Sequence, residues 1–334
     1  MVHEINATAI GIIETMDIRP TVTVVIPAFN CEAYITETLK SVFGQTYAAT
    51  EVIVVDDGSS DQTRQRVEEF GELVQYVRQE RAGVSRARNL GTARAKCEFI
   101  AFLDADDVWM PDKLMKQVAI LSEDGYKECV HTNYTLLSKD SIGWVESAAK
   151  WEPATENYLS EFIHGRRFRM SSLLVSKKCV QDIGGFDEGI PGRYSEDLDL
   201  FLKISERIPI AYIGEPLVLY RRHGKSTTAT GRARELAVCD LYVFEAAIKR
   251  CPDRWRSLTK SDRDALFDMA LFAGWSCLED DDLHSAKQYF NRALKFRRYS
   301  AVCWMYYAAS MLSPQILKGI RTLKRNVLRP PSGG

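Results

Sequence analysis

Four short apolar runs, 22–26, 52–55, 74–77 and 98–103, alternate with stretches that carry helical periodicity. Short connections between such alternating segments imply right-handed crossovers and a parallel sheet with helices on both faces. The first run, Val-Thr-Val-Val-Ile, closes on Pro27, which lacks an N–H and forces the chain out of the strand. Tyr34, Ile35, Leu39, Val42 and Phe43 then share one helical face that ends near Gly44, and 84–95 reads as the third crossover helix. Three strands run directly into polar clusters: Phe29-Asn30, Asp56-Asp57 and Asp104-Ala105-Asp106. Parallel strands bring all three clusters to one edge of the sheet, where open α/β sheets bind their ligands.

Asp104 and Asp106, with one residue between them, offer oxygens to a hard divalent cation of the Mg2+ or Mn2+ type. Such an ion is held by one or two carboxylates plus substrate phosphates. An isolated Asp-x-Asp reads more often as an acidic turn, so the meaning of this pair depends on the other clusters. Asp107 is assigned to the start of the following helix.

Lys and Arg (44) nearly balance Asp and Glu (45), which leaves no global field for nucleic acid. Eight scattered cysteines fit neither a zinc module nor a disulfide framework and suit a reducing compartment. The lead-in 1–20 lacks a signal-peptide pattern, and no apolar run is long enough to span a bilayer. The expected location is therefore cytoplasmic.

From Pro111 a helix carrying Leu114, Val118 and Leu121 leads into a less regular section whose Trp144 and Trp151 sit in polar loops. A strand over 171–176, a turn at 184–188, a helix over 196–206 and a strand over 211–220 follow. After about Thr230 the chain is built of helix formers, with 253–263 bridging two helical blocks. Residues 274–295 have the small-and-aromatic pattern of one tetratricopeptide-like hairpin, a single unit that cannot make a solenoid.

Several ordered motifs together resemble the family 2 inverting glycosyltransferases of GT-A fold. They are Val-Ile-Pro-Ala-Phe-Asn (25–30), Val-Asp-Asp-Gly-Ser (55–59), Ala-Arg-Asn-Leu-Gly (87–91) and Phe-Leu-Asp-Ala-Asp-Asp (102–107). Gly-Gly-Phe-Asp-Glu (184–188), Ser-Glu-Asp-Leu-Asp-Leu (195–200) and Tyr-Arg-Arg-His (220–223) extend the match. The resemblance implies a GT-A domain over 21–230, with a mostly parallel central sheet and helices on both faces. Its nucleotide-binding part would be 21–125 and its acceptor part 126–230, followed by a small α-helical region over 231–334.

The resemblance also implies roles. Phe29 would stack on a nucleobase and Asp57 accept from a uracil imide, favouring a UDP-sugar, with Pro27, Asn30 and Arg88 around the same nucleotide. Asp106 would be the first metal ligand, with Asp104 on the ribose or the ion and His223 completing the Mn2+ or Mg2+ site. Arg221 or Arg222 would meet phosphate. Asp197 resembles the base that takes the proton of the acceptor hydroxyl, with Glu196 as its competitor. The partners implied are a nucleotide-sugar donor and a glycan or lipid-linked acceptor, as in polysaccharide biosynthesis.

Two other readings stay open: a sugar nucleotidyltransferase, against which the missing glycine-rich phosphate loop counts, and a non-catalytic nucleotide-sugar-binding or scaffold protein. A nicotinamide dehydrogenase is disfavoured, because no Gly-x-Gly-x-x-Gly follows a strand. Over 314–329, Ile316, Ile320, Leu323 and Val327 form one helical stripe among Lys318, Arg321, Lys324, Arg325 and Arg329. That segment reads either as an interfacial helix making peripheral contact at the inner face of the cell membrane or as a terminal helix packed on its own domain.

Overall fold

The computed structural model of the protein describes residues 20–122, 127–139, 144–148, 158–165, 168–191, 194–223 and 233–312. The chain divides into two compact units, Met1–Gly231 and Arg232–Gly334.

The first unit begins with β1 (Val22–Ala28), α1 (Ile35–Phe43), β2 (Glu51–Asp56), α2 (Thr63–Glu68), β3 (Gln75–Arg78), α3 (Val84–Arg94) and β4 (Phe99–Phe102). Strands β3, β2, β1 and β4 lie side by side and all run parallel. Every residue of β1 and β4 is buried, as a strand apolar on both faces requires. Alternation sorts the faces. Val22, Val24 and Ile26 join Ile35, Leu39 and Val42 of α1, Val67 of α2 and, further along the chain, Leu114, Val118 and Leu121. Val25 faces the opposite way, against Gly91 of α3. Helices therefore cover both faces of this half.

Beyond β4 the sheet becomes mixed. After β5 (Val108–Trp109) and α4 (Lys113–Leu121) come β6 (Cys129–Lys139), β7 (Trp144–Ala148), α5 (Tyr158–Ile163), β8 (Leu174–Ser176), α6 (Lys177–Asp182), α7 (Glu196–Arg207) and β9 (Ala211–Arg222). The strand order is β3-β2-β1-β4-β8-β6-β9-β5, with β7 on β6. β8 is antiparallel to both β4 and β6, whereas β6 and β9 are parallel.

Several sequence expectations change here. Trp144 does not lie in a loop; it opens β7 and pairs with Lys139. Strand β6 hides in the sequence because buried His131, Thr132 and Asn133 interrupt its apolar pattern. The strand expected from 171 starts only at Leu174. Residues Met170–Ser172 form a 3-10 turn, since Ser171 has bonds to make elsewhere. Asp107 is not at a helix start: α4 begins at Lys113, and Asp107 is fully buried between strands. Near Gly214 and Pro216, β9 shifts register against β6, as a proline without a ladder donor demands.

The second unit consists of α8 (Ala233–Arg250), α9 (Pro252–Ser257), α10 (Lys260–Glu279), α11 (Leu283–Phe296) and α12 (Ala301–Ala309). A short helix, α9, thus occupies part of the expected bridge. Thr259 and Asp262 form a reciprocal capping box at the start of α10. Leu241, Phe267, Ala270, Ala286, Phe290, Ala293 and Cys303 make the core. Gly274 lets the Phe290 ring approach so closely that a Cβ there would lie 2.7 Å from it. Among the described residues no helix is long and apolar enough to cross a membrane. Residues 1–19, Trp151 and 314–329 lie outside the described residues.

Candidate active site

The polar clusters after β1, β2 and β4 meet as the parallel topology requires. β1 and β2 pair Ala28 with Asp56, so the two exits leave the sheet at one level. The backbone N–H of Asp57 donates to Ala28 O at 2.8 Å and that of Asn30 to Ser59 Oγ at 2.9 Å. Asn30 takes a left-handed conformation (φ 48°), and its side-chain oxygen accepts from Ser60 N at 2.9 Å. Pro27 is buried within β1, opposite Val55.

Asp57 is buried, and both its oxygens are engaged. Oδ1 accepts from Gln79 Nε2 and Ala82 N, each at 2.7 Å, and Oδ2 from Gly83 N at 2.9 Å. The carboxylate therefore pins the 79–83 loop, which carries Arg81 over Phe29. That ring is 37% exposed, and the Arg81 guanidinium lies 4.1 Å from its centroid. Arg81 was not among the candidates from sequence, since nothing in an exposed Glu-Arg-Ala loop signals stacking.

At the end of β4, Asp104 and Asp106 diverge. Asp104 Oδ1 accepts from Arg88 at 2.7 Å, and the same guanidinium reaches Glu196 Oε1 at 2.8 Å. Arg88 is 3% exposed, inside α3 and above the Phe186 ring. Burial pulls its pKa down, and the charges of Asp104 and Glu196 outweigh that and raise it. Burial raises the pKa of Asp104 and of Glu196, against the opposing pull of Arg88. Asp106 instead meets His223 Nε2 through Oδ2 at 2.9 Å. Tyr34 stacks on the His223 ring, with centroids 4.8 Å apart.

Asp107 ties three segments together. Its Oδ1 accepts from Arg221 N at 2.9 Å and its Oδ2 from Ser171 Oγ at 2.5 Å, while its carbonyl accepts from Thr38 Oγ1 at 2.9 Å. Burial, then Asp106 and Asp104, push its pKa well up. The Arg221 side chain donates to Asp106 O at 2.8 Å and pairs with Glu37 at 2.7 Å, a bracing position. Arg222 is exposed.

The acceptor-side acids sit at the start of α7. Ser195 precedes them in a left-handed conformation (φ 65°), and Asp197 Oδ1 accepts from Leu198 N at 2.7 Å. Glu196 is thus held by Arg88, and Asp197 is not. Arg169, unflagged by any motif, lies 4.1 Å from the Tyr220 ring and 5.0 Å from Tyr134. Burial lowers its pKa, and Tyr220, Tyr134 and Asp197 more than restore it. The Gly-Gly-Phe-Asp-Glu turn is sewn to α3 by Asn89, which accepts from Phe186 N and donates to Phe186 O, both at 2.9 Å. Gly185 (φ 66°) leaves room for that amide, since a Cβ would fall 2.6 Å from Asn89 Oδ1.

Asp106 and His223 are two donors that would hold a divalent ion only with further ligands supplied by substrate phosphates. Among the described residues no three His, Cys, Asp or Glu side chains gather as a ready-made cage.

The fold is a mixed α/β sheet of GT-A type, with acids at the end of β4 and at the start of α7. The profile described as "Glycosyl transferase family 2" matches residues 23–174. An uncharacterized glycosyltransferase of Rickettsia prowazekii is 32% identical over 219 residues, 63% of this chain and 67% of that one. The chain belongs to glycosyl transferase family 2. An Escherichia coli protein named UDP-Glc:alpha-D-GlcNAc-diphosphoundecaprenol beta-1,3-glucosyltransferase is 37% identical over 123 residues, 36% of this chain and 48% of that one. Residues 1–349 of S. aureus TarS, solved in complex with UDP-GlcNAc, superpose with a TM-score of 0.64 at 18% identity, covering 90% of this chain and 92% of that one. At that identity the likeness concerns the fold.

Proposed function

We propose that the enzyme transfers a sugar from a UDP-sugar to a glycan or lipid-linked acceptor, in one displacement that inverts the anomeric carbon. The observation that carries this reading is the Arg88 bridge, which holds Asp104, on the donor side, next to Glu196, the neighbour of Asp197. That bridge supports reading the donor acids and the candidate base as parts of one site.

In this reading the nucleobase stacks on the exposed ring of Phe29 beside the 79–83 loop, and the acceptor hydroxyl approaches Asp197. As the new C–O bond forms, the hydroxyl proton passes to Asp197, and the bond from the anomeric carbon to the UDP oxygen breaks. Asp197 is preferred over Glu196 because Arg88 already engages Glu196 and favours its charged form. Asp106 and His223 would hold Mn2+ or Mg2+, which supplies positive charge to the departing diphosphate. The Escherichia coli relative's name supports UDP-glucose as a donor class and an undecaprenol diphosphate-linked sugar as an acceptor class.

The test is a donor screen followed by one variant. Thermal stabilisation by UDP-sugars with Mn2+ should select a donor, since a ligand that binds the folded state stabilises by mass action. Asp197→Asn should keep that stabilisation while abolishing transfer to a lipid-linked saccharide. Transfer retained by Asp197→Asn would move the base to Glu196, and no stabilisation by any UDP-sugar would remove the donor assignment.

A further inference from the structure

Arg169 is a cation that no acid of the chain meets. The buried guanidinium of Arg88 is paired with Asp104 and Glu196, and that of Arg221 with Glu37. Arg169 is partly buried and makes no salt bridge among the described residues, and its enclosed Nε has no hydrogen-bond partner. Its guanidinium lies against two rings instead, 4.1 Å from the centroid of Tyr220 and 5.0 Å from that of Tyr134. Ring faces attract a cation but leave most of its five N–H donors unbonded. A desolvated charge in that state is costly, so its retention calls for an anion from outside the chain.

The place of this side chain says where that anion comes from. Arg169 precedes the 3-10 turn Met170–Ser172, and Ser171 in that turn accepts from Asp104 N at 3.0 Å and donates to Asp107 at 2.5 Å. Tyr134 belongs to β6 and Tyr220 to β9, and Tyr220 directly precedes Arg221, whose backbone donates to Asp107 Oδ1 at 2.9 Å. The turn and the Tyr220 ring are therefore tied to the end of β4. Asp197 is the acid whose charge bears most on Arg169, yet no salt bridge joins the two. The Arg221 side chain is already engaged by Glu37 and the Asp106 carbonyl. Arg169 is thus a separate cation, on the Asp197 side of the site.

We propose that Arg169 binds an oxyanion carried by the acceptor itself, a phosphate or a carboxylate next to the sugar that receives the new bond. The proposal rests on the transfer reading above, with Asp197 as the base. A guanidinium fork matches either group through two parallel N–H donors, and stacking on Tyr220 orients the fork. The acceptor is then held at two points, its hydroxyl at Asp197 and its anion at Arg169, and this fixes its orientation toward the donor. A neutral saccharide leaves the cation unpaired and binds less well.

The experiment measures probe binding by calorimetry to the full chain, with and without saturating UDP and Mn2+. A short-chain alkyl diphosphate of N-acetylglucosamine is compared with the neutral methyl glycoside of that sugar, and methyl glucuronide with methyl glucoside. N-acetylglucosamine follows the acceptor in the Escherichia coli relative's name. With UDP and Mn2+ in place, one anionic probe should bind about tenfold or more tighter than its neutral counterpart, and the arm in which this happens tells phosphate from carboxylate. Arg169→Met should abolish that advantage with unchanged affinity for UDP. Arg169→Lys, which keeps the charge without the fork, should retain only part of it, and decides the matter should the methionine variant not fold. Neutral and anionic probes bound equally, or an advantage untouched by the variants, would overturn the proposal. A loss of UDP affinity in step with the advantage would overturn it too, by placing Arg169 on the donor. An Arg169-dependent anionic advantage in a chain without affinity for UDP would count against the donor assignment alone.

Discussion

Asp106 Oδ2 lies 2.9 Å from His223 Nε2, although 117 residues separate the two in the chain. The contact exists because Asp107, the next residue, accepts from the Arg221 backbone and so brings the end of β9 beside the end of β4. If this pair holds the divalent ion, His223→Ala should raise the Mn2+ concentration needed for donor stabilisation by about 10-fold or more. Asp106→Ala should remove the metal dependence of donor binding altogether. Titrating Mn2+ in a thermal-shift assay with UDP checks both, and a metal response unchanged in Asp106→Ala would exclude the pair as the ion's ligands.

Arg88 compensates two buried acids at once, so its removal should act through pH as well as through stability. Breaking a buried ion pair by deleting one partner costs roughly 3–5 kcal/mol, because the remaining charge is left uncompensated. In Arg88→Met the pKa values of Asp104 and Glu196, already raised by burial, lose the influence that holds them down. The folded state then binds more protons than the unfolded one above the ordinary carboxylate range, and stability must rise as pH falls toward that range. Urea denaturation at several pH values should therefore show the variant's deficit relative to the parent shrinking from pH 8 to pH 5. A deficit independent of pH would mean that neither acid depends on Arg88 for its charge.

Much of the first half was legible because each local signal agreed with the next. Val22, Val24, Val25 and Ile26 could only be a strand buried on both faces, Pro27 ended it, and the helical stripe from Ile35 to Val42 had one place to go. The second half was not, for physical reasons seen at particular residues. Buried His131 and Thr132 broke the apolar run of β6, and a register shift at Pro216 bent β9. Ser171 looks like a strand residue, yet its hydroxyl accepts from Asp104 N and donates to Asp107. At the site, motif order gathered the acids, but spacing could not tell that Arg221 braces Glu37 or that both oxygens of Asp57 would already be engaged.

Asp57 holds the 79–83 loop by three donors, two of them backbone N–H groups. Asp57→Asn keeps the shape but turns one acceptor oxygen into a donor facing a donor. Hydrogen bonds to a charged group contribute about 1.5–3 kcal/mol, so a loss of roughly 2 kcal/mol in stability is expected. Because that loop carries Arg81 over Phe29, affinity for UDP should fall with it, by about 10-fold for each 1.4 kcal/mol of lost loop order. Calorimetric titration with UDP checks the second effect. Unchanged UDP affinity in a destabilised Asp57→Asn would reduce Asp57 to a purely structural tether.

Gly91 lies within α3, where alanine would ordinarily help, by about 1 kcal/mol of helix propensity. Here a Cβ would stand 2.3 Å from Val25 Cγ1, and Val25 is wholly buried in β1 between two neighbouring strands. Overpacking a rigid core costs about 1–3 kcal/mol, and at 2.3 Å neither a strand backbone nor a β-branched side chain can yield cheaply, so the clash should win. Gly91→Ala is expected to lower the urea midpoint. Val25→Ala alone should also destabilise, by leaving a cavity, yet the double variant should recover part of the loss, since the new methyl fills space that the removed ones vacate. A double variant whose deficit equals the sum of the two single ones would mean that α3 moves away from the sheet instead, and the shift should then appear as weakened donor binding through Arg88 on the same helix.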